Sequence, residues 1–268
     1  MGGKEMSWES VLLDIGNHMA TITLNRPDQM NAFSGLMRQE IAEVVDTVCR
    51  DPEVRVIVIT GAGKAFCVGG DVKEFASGSS RGLEGSTSNE RPAMSKIVLA
   101  LNRVEKPVIA AVNGAAVGGG VNLALACDIR IASEKARFGQ VFVRRGLHTD
   151  WGGIYFLPRL VGYAKAAELI FTGEVIEAQE ALKIGLANKV VPHEQLMEAS
   201  YELAGRIAKN APVPIAFAKR GLQNFYKWDL AAALDYEAYV LGITARSEDF
   251  KEGVKAFLEK REPEFKGR

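Results

Sequence analysis

The feature that most constrains the fold is an apolar run at residues 107–127, which reads PVIAAVNGAAVGGGVNLALAC. Its length is that of a membrane span, but two asparagines and four glycines lie inside it. Charged residues, Lys106 and Asp128, bound it closely. A buried strand at 108–112, a glycine turn and a buried helix from about Gly118 fit the pattern better. The run therefore predicts the centre of a globular core rather than a membrane helix.

Strands alternate with helices along the first part of the chain. Gly16-Asn17 is a hairpin turn signal, and Ser34 is a candidate N-cap. The predicted strands are 11–15, 19–24, 54–59, 108–112 and 128–132, and predicted helices follow Ser34, span 91–103 and follow Gly118. This alternation favours an α/β core.

From Trp151 onward the pattern is helical. The predicted helices are 158–171, 178–184, 194–209, 212–225, 229–245 and 248–260, with a short strand at 189–191. We therefore expect an α/β core over 1–193 and a helical region over 194–268. The Ser- and Gly-rich stretch 77–91 predicts a surface loop within the core.

Composition narrows the classes of function. The 33 basic and 33 acidic side chains cancel, so we expect neither nucleic acid nor a membrane as a partner. Three cysteines without a CxxC spacing argue against a disulfide framework and a zinc site, and three histidines argue against a multi-histidine metal site. The first residues lack a signal-peptide pattern, which predicts a cytoplasmic location.

Two glycine clusters, at 67–71 and 118–120, each follow a predicted buried strand and open a helix. Backbone N–H groups at a helix N-terminus are unpaired, and glycine lets another molecule approach them closely. Two such ends brought together would form an oxyanion hole. The same glycines would equally suit tight turns and close helix packing, and spacing alone leaves both interpretations open.

Five segments in order resemble the crotonase superfamily, the enoyl-CoA hydratase/isomerase family. They are LNRPDQMNAFS (24–34), KAFCVGGDVKEF (64–75), KPVIAAVNGAAVGGGVNLALACDIRIA (106–132), ARFGQ (136–140) and GLANKVVP (185–192). The resemblance implies a spiral of repeated ββα units followed by a helical C-terminal trimerisation region. It also implies an acyl-CoA thioester substrate, a homotrimer or dimer of trimers, and no cofactor beyond the coenzyme A of the substrate.

The resemblance further implies roles for individual residues. The Gly70 and Gly119 N–H groups would form the oxyanion hole for the thioester carbonyl. Arg26 and Ala32 match positions that line the nucleotide part of the site. Phe257 and Lys260 match a segment that reaches a neighbouring subunit's coenzyme A, although Lys260 could equally lie on a solvated helix face. The other implied substrate-binding positions are Val68, Asp71, Asn122 and Phe142.

The sequence departs from the family pattern at the catalytic acids. Hydratases of the family carry two glutamates where this chain has Asn122 and Phe142, and neither can exchange a proton at neutral pH. One carboxylate, Asp150, matches the single aspartate of the Δ3,Δ2-enoyl-CoA isomerase and 4-chlorobenzoyl-CoA dehalogenase branch. From its context alone, Asp150 is either an N-cap of the next helix or a functional acid with a raised pKa.

These observations favour double-bond isomerisation with Asp150 as the proton shuttle, because a single acid–base group suffices for it. Hydration through Asp150 and a water held by Asn122, thioester hydrolysis, and a non-catalytic acyl-CoA-binding protein are the alternatives. Asn122 could instead satisfy the first turn of its helix. His148 could assist Asp150 or be merely packed or exposed.

Overall fold

The computed structural model describes residues 4–76 and 93–268, which fold into two β-sheets and surrounding helices. The strands are β1 (Lys4–Ser7), β2 (Val11–Gly16), β3 (Met19–Leu24), β4 (Val56–Gly61), β5 (Ala65–Cys67), β6 (Val108–Val112), β7 (Ala115–Val117), β8 (Ile129–Ser133), β9 (Arg137–Gly139), β10 (Val175–Glu177) and β11 (Lys189–Val191). The helices of the core are α1 (Gly35–Arg50), α2 (Val72–Ala76), α3 (Ala93–Arg103), α4 (Gly119–Ala126), α5 (Gly153–Val161), α6 (Tyr163–Thr172), α7 (Ala178–Lys183) and α8 (Leu196–Ala208). The remaining helices are α9 (Pro212–Asn224), α10 (Leu230–Thr244) and α11 (Glu248–Glu259). The predicted loop 77–91 lies outside the described residues.

Each repeating unit sends its first strand into a large sheet and its second into a small one. The large sheet has the order β1-β2-β3-β4-β6-β8-β11, and the small sheet has the order β10-β9-β7-β5. Strands β4, β6 and β8 are parallel neighbours in the first, and β5, β7 and β9 are parallel neighbours in the second. This is the spiral of ββα units that the family resemblance implies.

Local sequence signals explain how the chain enters this arrangement. Asn17 and His18 both have positive φ angles, 52° and 62°, which closes the predicted β2–β3 hairpin with a tight turn. The Ser34 side chain accepts a hydrogen bond from the Met37 N–H at 3.2 Å, so Ser34 is the N-cap of α1. Both predictions are confirmed.

The main hydrophobic core lies between the sheets and the helices of the units, with Phe33, Phe66 and Phe138 among its largest fully buried side chains. A second core lies on the other face of the large sheet, where Val58, Ile109 and Ile131 pack against α8 residues such as Ala204. Helix α8, which the sequence assigned to the helical region, therefore covers the sheet of the core.

The predicted helix 158–171 is wrong in its continuity. The chain instead forms α5 and α6, which meet at Gly162 with a φ angle of +78°. A helix cannot continue through that backbone conformation.

Helices α9 to α11 extend beyond the sheets and expose large apolar side chains. These include Leu230, Leu234, Tyr239, Leu241, Phe257 and Leu258. Within the described part of the chain, no helix is both long and apolar enough to cross a membrane.

Candidate active site

A cavity of about 1250 Å³ opens where the second strands of the units end. Its lining comes from the turn before α1, the two glycine clusters, the 3₁₀ helix Val141–Arg145 and the segment that leads into α5. Of the residues predicted for the site, the cavity is lined by Ala32, Val68, Gly70, Asp71, Gly119, Phe142 and Asp150. Arg26, Asn122, Phe257 and Lys260 do not line it.

The two glycine clusters meet at the floor of this cavity. A methyl group added to Gly69 would lie 3.0 Å from the Gly119 nitrogen and 3.0 Å from the Val117 carbonyl oxygen. Gly69 also has a φ angle of +83°, a conformation that residues with a side chain rarely adopt. Close packing therefore explains why residue 69 is a glycine, while its neighbour Gly70 faces the cavity.

Two backbone N–H groups are available at this floor. Gly119 is the first residue of α4, so its N–H has no acceptor in the preceding turn. At Gly70, the flanking Gly69 carbonyl and Asp71 N–H are bonded to the backbone of Phe33. Because peptide groups alternate along an extended chain, the Gly70 N–H points away from Phe33. Gly70 and Gly119 line the same cavity, which is the placement that an oxyanion hole requires.

Asp150 is the carboxyl group of this site with a perturbed pKa. Its Oδ1 atom is buried without a hydrogen-bond partner among the described residues. Burial raises the pKa of Asp150 to about 6, and the nearby Asn122 amide, His148 and Arg38 offset this only in part. A half-buried carboxyl with this pKa can both take up and release a proton near neutrality.

The N-cap interpretation of Asp150 is wrong. The residue that caps α5 is Gly152, in the left-handed conformation, and the Gly153 N–H donates to the Asp150 backbone carbonyl at 2.9 Å. Trp151 and Gly152 have φ angles of +46° and +80°, so two consecutive residues turn the chain sharply after Asp150. This turn leaves the carboxyl group free of the helix end.

A closed ring of buried hydrogen bonds holds the backbone of Asp150 in place. The Gln140 Nε2 donates to Asn122 Oδ1 at 2.6 Å, the Asn122 Nδ2 donates to Thr149 Oγ1 at 3.1 Å, and Thr149 Oγ1 donates to Gln140 Oε1 at 3.0 Å. The Asn122 Nδ2 also donates to the Asp150 carbonyl at 2.8 Å. Asn122 has no exposed surface. Neither the expected substrate contact nor the expected helix-turn role describes Asn122, which instead supports the Asp150 main chain.

The aromatic rings of Phe33 and Trp151 pack against one side of Gly119. The rings of Phe33 and Trp151 stack at 4.4 Å with an interplanar angle of 9°. A methyl group on Gly119 would lie 3.3 Å from Phe33 and 3.4 Å from Trp151 Nε1. Trp151 is only 5% exposed, so the pair excludes water from one side of the donor. Removal of water strengthens hydrogen bonds to a developing charge.

Arg38 supplies a positive charge near Asp150 while it is held by other groups. Its Nη1 donates to the Phe33 carbonyl at 3.0 Å and its Nη2 pairs with Glu74 at 3.3 Å. This side chain lines the cavity and lowers the pKa of Asp150 against the larger effect of burial. Arg38 therefore lowers the pKa of the Asp150 carboxyl from its position in the cavity wall.

Arg26 braces the wall of the cavity. Its guanidinium donates to the Ala32 carbonyl and pairs with Asp71 at 3.2 Å. Asp71 thus has a cationic partner, whereas the Oδ1 atom of Asp150 has no hydrogen-bond partner among the described residues. His148 is exposed at the mouth, and its Nδ1 contacts the Thr149 carbonyl.

Phe257 and Lys260 lie far along the chain on α11 and at its C-cap, and both are exposed. Their predicted contact with a neighbouring subunit's coenzyme A stays a prediction. Among the residues that the structure describes, no cluster of His, Cys, Asp and Glu side chains has the geometry to hold a metal ion. Burial raises the pKa of the Cys67 and Cys127 thiols to about 12, so neither thiol offers a thiolate.

Sequence reasoning missed Gln140, Thr149 and the Phe33–Trp151 pair. Gln140 follows β9 directly and is buried, and Thr149 immediately precedes the candidate acid. A single polar residue at each of these two positions is a weak sequence signal for a role in the site. Gln140 and Thr149 come together only in the folded chain, where both hydrogen-bond to Asn122 of α4.

Comparisons with known proteins show the family of this chain. The family model described as Enoyl-CoA hydratase/isomerase matches residues 14–268. The chain is 40% identical to a short-chain-enoyl-CoA hydratase of Clostridium acetobutylicum, covering 98% of this chain and 100% of that protein. It is 39% identical to a crotonyl-CoA hydratase of Syntrophomonas wolfei, covering 97% and 99%. It is 36% identical to a trans-2-decenoyl-[acyl-carrier-protein] isomerase of Streptococcus mutans, covering 98% and 100%.

A crystal structure of an enoyl-CoA hydratase from Bacillus anthracis superimposes on this chain with a TM-score of 0.85 at 36% identity, and all of both chains is covered. The fold, the paired glycine donors and the family match lead to one assignment. The chain belongs to the enoyl-CoA hydratase/isomerase family of the crotonase superfamily, whose members are enzymes.

Proposed function

We propose that this enzyme shifts the double bond of an enoyl-CoA thioester, with Asp150 as its single proton shuttle. The observation that carries the proposal is the buried, unpaired Oδ1 of Asp150 in the same cavity as the Gly70 and Gly119 N–H donors. The raised pKa of Asp150, about 6, suits a group that must act first as a base and then as an acid.

The reaction follows from these three groups. The thioester carbonyl oxygen accepts hydrogen bonds from Gly70 and Gly119, and the Asp150 carboxylate removes a proton from C2 of a 3-enoyl thioester. The electron pair moves onto the carbonyl oxygen to give a dienolate that the two donors stabilise. Asp150 then returns the proton to C4, and the double bond comes to rest between C2 and C3.

The coenzyme A portion has a matching electrostatic environment at the cavity mouth. Lys73, Arg144 and Arg145 are exposed basic side chains of the lining. Exposed cations at the mouth attract and steer a polyanionic substrate toward the site. The single-aspartate arrangement inside and the basic mouth together fit an acyl-CoA thioester.

Hydration is the second candidate, and a specific observation favours it: three of the four similar proteins described above are named as hydratases. Addition of water needs a group to activate the water and a group to protonate C2. Of the other two carboxyl groups that line the cavity among the described residues, Asp71 is paired with Arg26 and Asp28 is exposed. Asp150 would therefore have to fill both roles in succession.

The direct test compares trans-3-hexenoyl-CoA isomerisation with crotonyl-CoA hydration by the same purified protein. The proposal predicts that kcat/KM for isomerisation exceeds that for hydration by at least about tenfold, because one shuttle suffices for isomerisation. A protein that hydrates crotonyl-CoA efficiently and leaves the 3-enoyl thioester unchanged would contradict the proposal. Tight binding of both thioesters without turnover would identify a non-catalytic acyl-CoA-binding protein.

A further inference from the structure

The carboxylate of Glu74, on α2, contacts two groups of α1. Its Oε1 accepts a hydrogen bond from the Gly35 N–H at 2.9 Å, and its Oε2 pairs with the Arg38 Nη2 at 3.3 Å. Gly35 is the first residue of α1, and an anion is stabilised beside the N–H groups of a helix N-terminus. The contact with Gly35 therefore fixes the Glu74 carboxylate at a defined place beside Arg38.

Arg38 is a buried cation with a carboxyl group on either side of it. Its side chain is 8% exposed, and its Nη1 donates to the Phe33 carbonyl at 3.0 Å. Glu74 is its ion-pair partner, and Asp150 lines the same cavity as Arg38. A buried cation that loses its anionic partner bears the full cost of desolvation, which favours pairing with another anion nearby. Without Glu74, the anion available to Arg38 would be the Asp150 carboxylate.

Arg38 is the buried member of the charged groups around Asp150. Apart from Asp150, the described charged and titratable side chains that line the cavity are Asp28, Arg38, Asp71, Lys73, Arg144, Arg145 and His148. The described parts of α3 and α5 contribute only uncharged side chains to the lining. Burial raises the pKa of Asp150 to about 6, and of these groups His148 and Arg38 lower it. Since His148 is exposed, the buried cation that acts on Asp150 is Arg38.

We propose that Glu74 is a positioning residue for the reaction, which holds Arg38 on the Phe33 carbonyl and thereby prevents a direct ion pair between Arg38 and Asp150. The Asp150 carboxylate then stays unpaired and can remove the C2 proton of the substrate. An ion pair with Arg38 would stabilise the ionised form of Asp150, and a more stable carboxylate is a weaker base. This inference rests on the proposed role of Asp150 as the proton shuttle.

Glu74→Gln tests the proposal, because it removes the charge and keeps an oxygen that can accept from the Gly35 N–H. Titration of the Asp150 carboxyl carbon by ¹³C NMR needs no substrate, and the signal is identified by its absence in Asp150→Asn. The titration midpoint should move to lower pH by at least about half a pH unit in Glu74→Gln. An unchanged or higher midpoint in the folded variant would overturn the proposal.

A shorter side chain provides a second test if Glu74→Gln does not fold. The side chain in Glu74→Asp is too short to keep the contacts with both Gly35 and Arg38 in place, so the midpoint should again move to lower pH. An unmoved midpoint would overturn the proposal here as well.

A double variant tests whether Glu74 acts through Arg38. Once Arg38→Met has removed the guanidinium, adding Glu74→Gln should leave the Asp150 midpoint where Arg38→Met alone puts it. A further shift as large as that of Glu74→Gln alone would overturn the route through Arg38. Glu252→Gln is the matched control, because Glu252 also pairs with an arginine, Arg261, at 2.6 Å and accepts a backbone N–H, that of Glu264, at 2.9 Å. Its midpoint should equal that of the wild type, and the same shift in this control would overturn the proposal.

The pH dependence of isomerisation separates this inference from the proposed function. In Glu74→Gln, the acidic limb of kcat/KM should move to lower pH together with the NMR midpoint of Asp150. If the NMR midpoint moves and the kinetic limb stays in place, Asp150 is not the base and the proposed function is wrong. If neither moves in the folded variant, the role of Glu74 is wrong and the proposed function is unaffected.

Discussion

At the scale of single residues, the environment of Asp150 sets its chemistry. Among the described residues, one oxygen of this carboxyl group is buried without a hydrogen-bond partner, and burial raises the pKa of Asp150 to about 6. Asp71 of the same cavity is instead paired with Arg26 at 3.2 Å. A carboxyl group with a raised pKa suits acid–base chemistry, which is the role we propose for Asp150.

The raised pKa gives a prediction for the pH dependence of the reaction. Because Asp150 must be ionised to remove the C2 proton, kcat/KM should rise about tenfold per pH unit below pH 6 and level off above it. Arg38 lowers the pKa of Asp150, so Arg38→Met should move this limb to higher pH. Lys189→Met, a change at an exposed strand residue far from the cavity, should leave the limb in place. A limb that does not move in Arg38→Met would contradict the assigned coupling.

The hydrogen-bond ring beneath Asp150 gives a second prediction. Gln140→Leu leaves the buried Asn122 Oδ1 without its donor, which should lower the free energy of unfolding by about 1–3 kcal/mol. We also expect kcat to fall at least fivefold with little change in KM, since the Asp150 main chain loses its support. Ser200→Ala, which removes another buried hydrogen bond away from the site, should destabilise the protein without that loss of kcat. Equal kcat values in the two variants would show that the hydrogen-bond ring only stabilises the fold.

At the scale of elements, the site depends on how closely the β5–α2 connection packs on the N-terminus of α4. The contact is between Gly69 and the Val117-to-Gly119 backbone, and it brings the two glycine clusters to one floor. Neither helix alone presents both donors. The oxyanion-binding geometry that we propose would therefore depend on the packing between two successive units.

Gly69→Ala tests this packing. Both Gly69 and Gly162 have strongly positive φ angles, +83° and +78°, so an alanine at either should cost roughly 1–3 kcal/mol of stability. Only at Gly69 would the methyl group press on the Gly119 nitrogen, because nothing lies within 4 Å of the position at Gly162. We expect kcat/KM to fall at least tenfold in Gly69→Ala and to stay near wild type in Gly162→Ala. Parallel losses in the two variants would contradict the packing argument.

The sequence predicted the long elements well and the short ones poorly. The hairpin, the N-cap at Ser34 and the buried strands were predictable from turn residues, capping chemistry and β-branched runs. Strands β5, β7, β9 and β10 have three residues each, too few for any periodicity. The small sheet they form was therefore expected only from the family resemblance.

The same dependence on local sequence features explains which parts of the candidate site could be predicted. The two glycine clusters could be singled out from local features, a buried strand before each and a helix after it, whereas Asp150 was singled out through the family resemblance. The role of Asn122 was not, since its partners Gln140 and Thr149 follow it by 18 and 27 residues along the chain. The capping role of Gly152 was also missed, because it depends on the left-handed conformation of Trp151 and Gly152 and not on composition.

At the scale of the whole molecule, the apolar side chains on α10 and α11 predict association. A chain that exposes Leu230, Leu241, Phe257 and Leu258 presents the kind of surface that binds another protein. We expect a homotrimer, or a dimer of trimers, in light-scattering measurements. A monomer at micromolar concentration would contradict this expectation.

Association also predicts the behaviour of Phe257, which is 83% exposed and lines no part of its own chain's catalytic cavity. If a neighbouring subunit places it beside coenzyme A, Phe257→Ala should raise KM about three- to tenfold and leave kcat near wild type. Phe250→Ala is the matched control, because Phe250 is also exposed on α11. Unchanged KM in an intact oligomer of Phe257→Ala would exclude the cross-subunit contact.

Exchange of the C2 proton with solvent deuterium measures directly whether Asp150 moves that proton. Hexanoyl-CoA incubated with the wild-type protein in D₂O should acquire deuterium at C2, and Asp150→Asn should slow the exchange by at least about a hundredfold. The variant should remain folded, because ionisation of Asp150 costs the native state stability as the pH rises from about 4 through about 6, and the amide avoids that cost. Wild-type exchange that survives unchanged in folded Asp150→Asn would show that another group is the base.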